Sequence, residues 1–165
     1  MQLEFKTVYL LLGSNLGDKE AIIHTAVLKI EEQIGKVISQ SSMYETAAWG
    51  NEDQPSFYNL ALGVETGLSA SDVLHAALSI EHELGRIRRE RWGARLIDID
   101  LIFFGQDIID YGDVLQVPHP RMHERRFVLA PLAEIAGSFY HPVLKKNVSL
   151  LLAELHDQLA VKRVS

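Results

Sequence analysis

The 165-residue sequence contains no cysteine. A disulfide framework, a thiolate zinc site and a cysteine nucleophile are therefore excluded, which fits a reducing compartment. Long apolar runs are missing as well. The stretch from Val8 to Leu12 is far too short for a secretory apolar segment, and no later stretch reaches the roughly eighteen residues of a membrane span. Positive charge is in deficit, with 16 Lys and Arg against 22 Asp and Glu and a net charge of -6. That balance argues against a general binder of nucleic acid or of acidic membranes. The expectation is a soluble, cytoplasmic protein in which any basic stretch is a local exception directed at a small anionic ligand.

What is present is globular: 47% of residues are apolar and 23% charged. The length suits a single domain over residues 1–165 with one core.

Phe5 to Leu12 is rich in β-formers and ends at Gly13-Ser14-Asn15, so it reads as a first and central strand. Gly-Ser-Asn-Leu-Gly-Asp lacks the endings and spacing of phosphate loops and reads as a strand-to-helix turn. Asp18 is an N-cap candidate. Ile23, Val27, Ile30 and Ile34 form the stripe of an amphipathic helix that Gly35 stops. Lys36 to Thr46 reads as a strand, and residues 47–56, with Gly, Asn, Asp and Pro, as a long loop. Phe57 to Thr66 alternates, with Tyr58, Leu60, Leu62 and Val64 on one face and Phe57, Asn59, Ala61 and Gly63 on the other. Asn59 fits a ligand contact and a satisfied core amide equally well. A second helix opens near Ser69 or Ser71, carries Val73, Ala77, Ile80 and Leu84 on one face, and ends before Gly85 as its C′ residue.

The stretch from Gly85 to Phe104 then joins an arginine-rich loop to an apolar strand bearing two aspartates. With side chains alternating, Asp98 and Asp100 share one face, and Ile97, Ile99 and Leu101 the other. Two like charges in so apolar a strand repel and lose solvation, which calls for a cation between or above them. Mg²⁺ fits best, because it is held by one or two carboxylates plus substrate phosphates and water. The arginines at 86, 88, 89, 91 and 95 supply guanidinium forks for phosphate. Taken singly, such a carboxylate pair also occurs in surface ion-pair ladders, and such a loop is also found merely solvated. An ion-pair ladder does not account for Trp92 and Gly93 interrupting the basic loop.

Gly105-Gln106-Asp107 reads as a hairpin turn leading to Ile108 and Ile109. His119 lies between two prolines, on an irregular segment that also carries Arg125, and both rank above the other histidines as site candidates. Val128 to Ile135 and Val148 to Leu155 read as short helices, and the last ten residues carry no signal. The element order β-α-β-β-α-β is the split pattern of a ferredoxin-like α+β fold: a largely antiparallel sheet with helices packed on it, followed by a C-terminal extension.

Four stretches, LLLGSNLGD, YETAAWGNEDQPSFYN, RWGARLIDIDLIFFG and VPHPRMHERRFVLAPL, together resemble the 6-hydroxymethyl-7,8-dihydropterin pyrophosphokinase family of the folate pathway. The resemblance runs from about Val8 to about Leu155, and its R-W-G-x-R-x-I-D-I-D block is the most specific part. It implies transfer of pyrophosphate from ATP to the pterin hydroxymethyl group, with AMP released. The expectation is a monomer that acts on these two small molecules and, from its charge balance, binds neither nucleic acid nor membrane.

By motif position, Asp98 and Asp100 would bind two Mg²⁺ ions. Arg86 and Arg95 would hold phosphates and stabilise transferring charge. Arg88, Arg89, Arg91 and Trp92 would belong to a loop over the nucleotide, with Glu81 nearby and His119 and Arg125 contacting ATP. Thr46, Ala47, Ala48, Trp49, Phe57, Asn59 and Phe127 would surround the pterin. Ala48 and Ala94 stand where many members of that family have proline, Leu78 where some have glutamine, and Val114 where some have arginine. A ferredoxin-like RNA-binding module is the main competing class, but it would want a basic sheet face where this chain has Asp98 and Asp100. A catalytically silent nucleotide-binding domain is the other.

Overall fold

The computed structural model describes residues 4–46, 56–85, 96–156 and 160–164. In chain order the elements are β1 (Lys6–Ser14), α1 (Lys19–Gln33), β2 (Lys36–Gln40), β3 (Tyr44–Thr46), β4 (Phe57–Thr66), α2 (Ala70–Gly85) and β5 (Asp98–Phe104). Then follow β6 (Ile109–Asp110), β7 (Gln116–Val117), a single 3-10 turn (Met122–Glu124), α3 (Arg126–Ala136), α4 (Val148–Ala153) and β8 (Val161–Arg163).

The main sheet has the order β5-β1-β4-β3-β8, with β2 also paired to β4, and every pairing is antiparallel. β1 is flanked by β4 and β5, and β4 by β1 and β2. Each β-α-β unit therefore joins two parallel strands with one strand of the other unit inserted between them, the split arrangement expected from the element order.

Local signals explain the helices. Asp18 caps α1, its Oδ1 accepting from the Ala21 N–H at 3.1 Å, and Ile23, Val27 and Ile30 are buried beneath it. Ser69 does the same for α2 through the Asp72 N–H at 3.1 Å. Gly35 ends α1 for a reason of space: a Cβ there would collide with the Glu65 carbonyl, so the chain can pass this close to β4 only without a side chain. Gly85, in contrast, is the last residue of α2 and not the residue beyond it.

Two apolar cores flank the sheet. On one face α1 and α2 cover Val8, Leu10, Leu12, Leu60, Leu62, Val64, Ile99 and Leu101. On the other, α3 and α4 cover Leu11, Ala61, Ile102 and Phe103. The sheet is the middle of three layers, so β4 is buried on both sides from Asn59 to Val64. The sequence led to one core and left the second layer unassigned.

Three further expectations change. The strand over Lys36 to Thr46 divides at residues 41–43, where the Ser41 hydroxyl accepts the Ala61 N–H at 2.9 Å and interrupts regular pairing. Gly105, at φ 53°, does make a turn, but β6 pairs with β7 and not back onto β5. The C-terminal residues, which carried no signal, add β8 to the edge of β3. In β5 itself, Leu10 faces Leu101 while Tyr9 faces Phe103. Ile102 is thus an extra residue, and it joins Phe103 in the second core.

His141 anchors that second core. It is 4% exposed, packs edge-on to Phe103 at 5.4 Å, and its Nδ1 accepts the N–H groups of Val143 and Leu144 at 3.2 and 3.0 Å. Burial first, and then the nearby His123, bring its pKa down to about 4. The unfolded chain takes up this proton below about pH 6.5, whereas the folded protein resists it until about pH 4. The contribution is complete above pH 6.5 and is lost as pH falls through that window, by up to roughly 3 kcal/mol. Urea unfolding at pH 7.5, 6, 5 and 4 should show this decline. His141→Asn, which keeps an acceptor but does not titrate, should be less stable at neutral pH and should show a flatter profile.

Candidate active site

The register of the sheet builds one row of side chains across four strands. Asp98 of β5 faces Gly13 of β1, Gly13 faces Asn59 of β4, and Asn59 faces Tyr44 of β3. Directly opposed residues in antiparallel strands share a face. Asp100 lies one step further along beside Leu11, and Phe57 and Thr46 face each other at the opposite end. Asp98, Asp100, Asn59, Thr46 and Phe57 therefore share one sheet face, the face that α3 covers further along.

The two aspartates occupy the rim. Ile97, Ile99 and Leu101 turn into the opposite core, as the alternation requires. Asp98 is half-buried and Asp100 exposed, so the loss of solvation expected for both is slight for Asp100. β5 is an edge strand of the main sheet, and two groups hold its outer side. Glu81 Oε2, from α2, accepts the Ile99 N–H at 2.7 Å, and the His119 N–H donates to the Ile102 carbonyl at 3.0 Å.

The second bond brings the His119 ring close to Asp100. Burial lowers the imidazole pKa, Asp100 opposes that shift, and Arg125 and Arg121 reinforce it. The neutral ring accepts the Arg121 N–H at Nδ1 (3.2 Å), which leaves Nε2–H as a donor. Arg125 lies 5.7 Å from the centre of the Phe127 ring, and Phe127, in the first turn of α3, packs on the second core.

At the other end of the row lie two unusual atoms. Asn59 is 5% and Thr46 3% exposed, yet Asn59 Oδ1 and Thr46 Oγ1 have no hydrogen-bond partner among the described residues. Leaving such an atom buried and unpaired costs roughly 1–3 kcal/mol, so each marks a place where a ligand group is expected. Asn59 Nδ2 donates to the Leu12 carbonyl at 3.3 Å, which aims the amide. Gly13 makes room for it: a Cβ on Gly13 would lie 2.7 Å from that nitrogen. Gly13, expected in the turn cluster after the first strand, instead lies within β1 directly opposite Asn59.

Two other contributors left no sequence signal. Glu134 of α3 accepts the Tyr44 hydroxyl at 2.6 Å, and the Ser42 N–H and hydroxyl at 2.9 and 3.2 Å, tying α3 to β3 beside Thr46. Burial and then this carboxylate push the Tyr44 pKa up to about 12. Lys19, at the start of α1, donates to the Ser56 carbonyl at 3.0 Å and lies 4.4 Å from the centre of the Tyr58 ring. Ser56 in turn donates to Glu45 Oε2 at 2.6 Å. This cluster fixes the chain just before Phe57. Ala47, Ala48, Trp49, Arg86, Arg88, Arg89, Arg91, Trp92 and Arg95 lie outside the described residues.

Among the described residues no group of three or more His, Asp or Glu side chains is arranged to hold a metal. Two same-face carboxylates, one exposed and one half-buried, nevertheless suit Mg²⁺, which needs only one or two protein carboxylates when phosphates and water complete its shell.

Residues 9–137 match the model of the 7,8-dihydro-6-hydroxymethylpterin-pyrophosphokinase (HPPK) family. A 2-amino-4-hydroxy-6-hydroxymethyldihydropteridine pyrophosphokinase of Bacillus subtilis is 44% identical over 128 residues, covering 77% of this chain and 76% of the relative. The protein of the same name from Methylorubrum extorquens is 45% identical over 158 residues, covering 94% and 97%. The chain spans only 20% of longer folic acid synthesis proteins that it also matches. In fold it is similar to the Plasmodium falciparum HPPK-DHPS triple mutant solved with STZ-DHP, at a TM-score of 0.76 and 18% identity, over 93% of this chain and 44% of that one. With the family model matching most of its length and relatives above 40% identity over three quarters or more of theirs, this chain belongs to the HPPK family of enzymes.

Proposed function

We propose that this chain transfers a pyrophosphoryl group from ATP to the hydroxymethyl oxygen of 6-hydroxymethyl-7,8-dihydropterin, with AMP as the second product. One observation carries the reading. The same sheet face holds at one end two buried polar atoms without a partner among the described residues and at the other two carboxylates, and Asp98 lies two strands from Asn59, roughly 10 Å away. A flat bicyclic ring with an amide edge and a hydroxymethyl arm spans such a distance. Its amide edge would satisfy Asn59 Oδ1 and Thr46 Oγ1, its faces would lie against Phe57 and Phe127, and its arm would reach toward Asp98 and Asp100. In this reading residues 1–165 act as one cytoplasmic, monomeric domain on small molecules, without nucleic acid or membrane.

Asp98 and Asp100 would hold the Mg²⁺ ions. Bound there, the metal supplies charge neutralisation for the phosphates and a lower pKa for the hydroxyl. The hydroxymethyl oxygen forms a bond to the β-phosphorus, the bond from that phosphorus to the α,β-bridging oxygen breaks, AMP leaves with the electron pair, and the hydroxyl proton passes to solvent. Such a transfer depends on positioning and charge stabilisation more than on covalent help. Arg86 and Arg95 would neutralise charge on the transferring group, with Arg88, Arg89, Arg91 and Trp92 closing over the nucleotide. His119 Nε2–H and Arg125 would donate to phosphate oxygens.

The test is chromatography of nucleotide products with pterin and Mg²⁺ each present or omitted. AMP should form only when both are present, and Asp98→Asn and Asp100→Asn should each lose about a hundredfold or more in kcat. ADP as the product, or full turnover by Asp98→Asn, would contradict the reading. Asn59→Leu separates binding from folding: it removes the unpaired Oδ1, so its melting temperature should hold or rise, while affinity for hydroxymethylpterin measured by calorimetry should fall about tenfold or more. Unchanged affinity would remove Asn59 from the pterin site.

A further inference from the structure

We infer that Glu81 is a positioning residue for the Asp98 and Asp100 pair, acting through the peptide between them and not through the nucleotide. The inference rests on the reading in which those two aspartates hold the metal. Ile99 separates the aspartates, and its side chain is 5% exposed in the core beneath α2. Its N–H points outward from the edge of the sheet, and there Glu81 Oε2 takes it at 2.7 Å. A main-chain donor on this edge without an acceptor would be costly, and an anionic acceptor makes the shorter, stronger bond.

The consequence is geometric. Three residues further along, the His119 N–H grips the Ile102 carbonyl on the same strand. Asp100 is therefore carried on a span of edge strand fixed at both ends, and Asp98 directly precedes the first fixed point. Side-chain direction in a strand follows from the peptide planes, so holding the Ile99 peptide sets how the two carboxylates diverge. Glu81 reaches this point because α2 buries Val73, Ala77, Ile80 and Leu84 against the sheet, which brings the residue after Ile80 alongside β5. The family resemblance put Glu81 near the nucleotide, but one of its oxygens is engaged with the strand that carries the aspartates.

Glu81→Gln retains an oxygen acceptor without the charge, and Glu81→Ala removes both. The expected result is that Glu81→Gln keeps kcat within about threefold of the parent, whereas Glu81→Ala loses about thirtyfold with KM for ATP and pterin little changed. Glu81→Ala should also need about fivefold more Mg²⁺ for half-maximal rate, and its Ile99 amide should exchange with solvent faster than in Glu81→Gln. Loss confined to KM for ATP would overturn the inference in favour of a direct nucleotide contact, as would a Glu81→Gln variant as slow as Glu81→Ala. Parental kinetics in Glu81→Ala would overturn it outright. Asp98→Asn assayed in parallel separates the two levels: if Asp98→Asn is inactive and Glu81→Ala is not, only the role of Glu81 fails, whereas an active Asp98→Asn removes the metal reading itself.

Discussion

The antiparallel register of β1 against β4 on one side and β5 on the other is the constraint on which the site depends. Because Gly13 faces both Asn59 and Asp98, the ends of the site are set by main-chain hydrogen bonds and not by flexible side chains. A shift of β1 by one residue would turn Asn59 and Asp98 away from the same neighbour and move Leu10 and Leu12 out of the first core. Fold stability and site geometry therefore share a single register. Gly13 itself is required by that arrangement, since a side chain there would strike the Asn59 amide.

Burying both faces of the sheet sharpens this constraint. α1 and α2 fix one side, and α3, tied to β3 through Glu134, Tyr44 and Ser42, fixes the other. Between them the buried polar atoms of Asn59 and Thr46 are held in place even though they lack a partner among the described residues, which lowers stability. Binding sites commonly retain such groups, since a donor or acceptor already desolvated and aimed pays less to meet its ligand. At the rim the logic is reversed. Asp100 is exposed and Asp98 only half-buried, so a hydrated metal can approach them.

Much of this was legible in the sequence wherever a short-range rule applied. The stripe Ile23, Val27, Ile30 gave α1, Asp18 its cap, and the alternation of Tyr58, Leu60, Leu62 and Val64 gave β4 and its faces. The same two-residue period put Asp98 and Asp100 together. What escaped depends on contacts distant in sequence. β8 is three residues long and is a strand only because β3 offers it an edge. The choice of sheet face for α3 and α4 follows from where Ala61, Ile102 and Phe103 lie, which no local pattern contains. Asn59 was evenly balanced between core amide and ligand contact, because whether Oδ1 is paired depends on the strands around it. The bulge at Ile102 and the bond from Glu81 to Ile99 were invisible for the same reason.

The proposed pterin site lies on one sheet face, with Asn59 and Thr46 at the ring and the aspartates at its arm. The most direct measurement is a crystal structure of the protein with hydroxymethyl dihydropterin, α,β-methylene ATP and Mg²⁺. The pterin amide edge should lie within hydrogen-bond distance of Asn59 Oδ1 and Thr46 Oγ1, with the hydroxymethyl oxygen beside a metal held by Asp98 and Asp100. A pterin bound elsewhere, with both atoms still unpaired or satisfied by the protein itself, would contradict it.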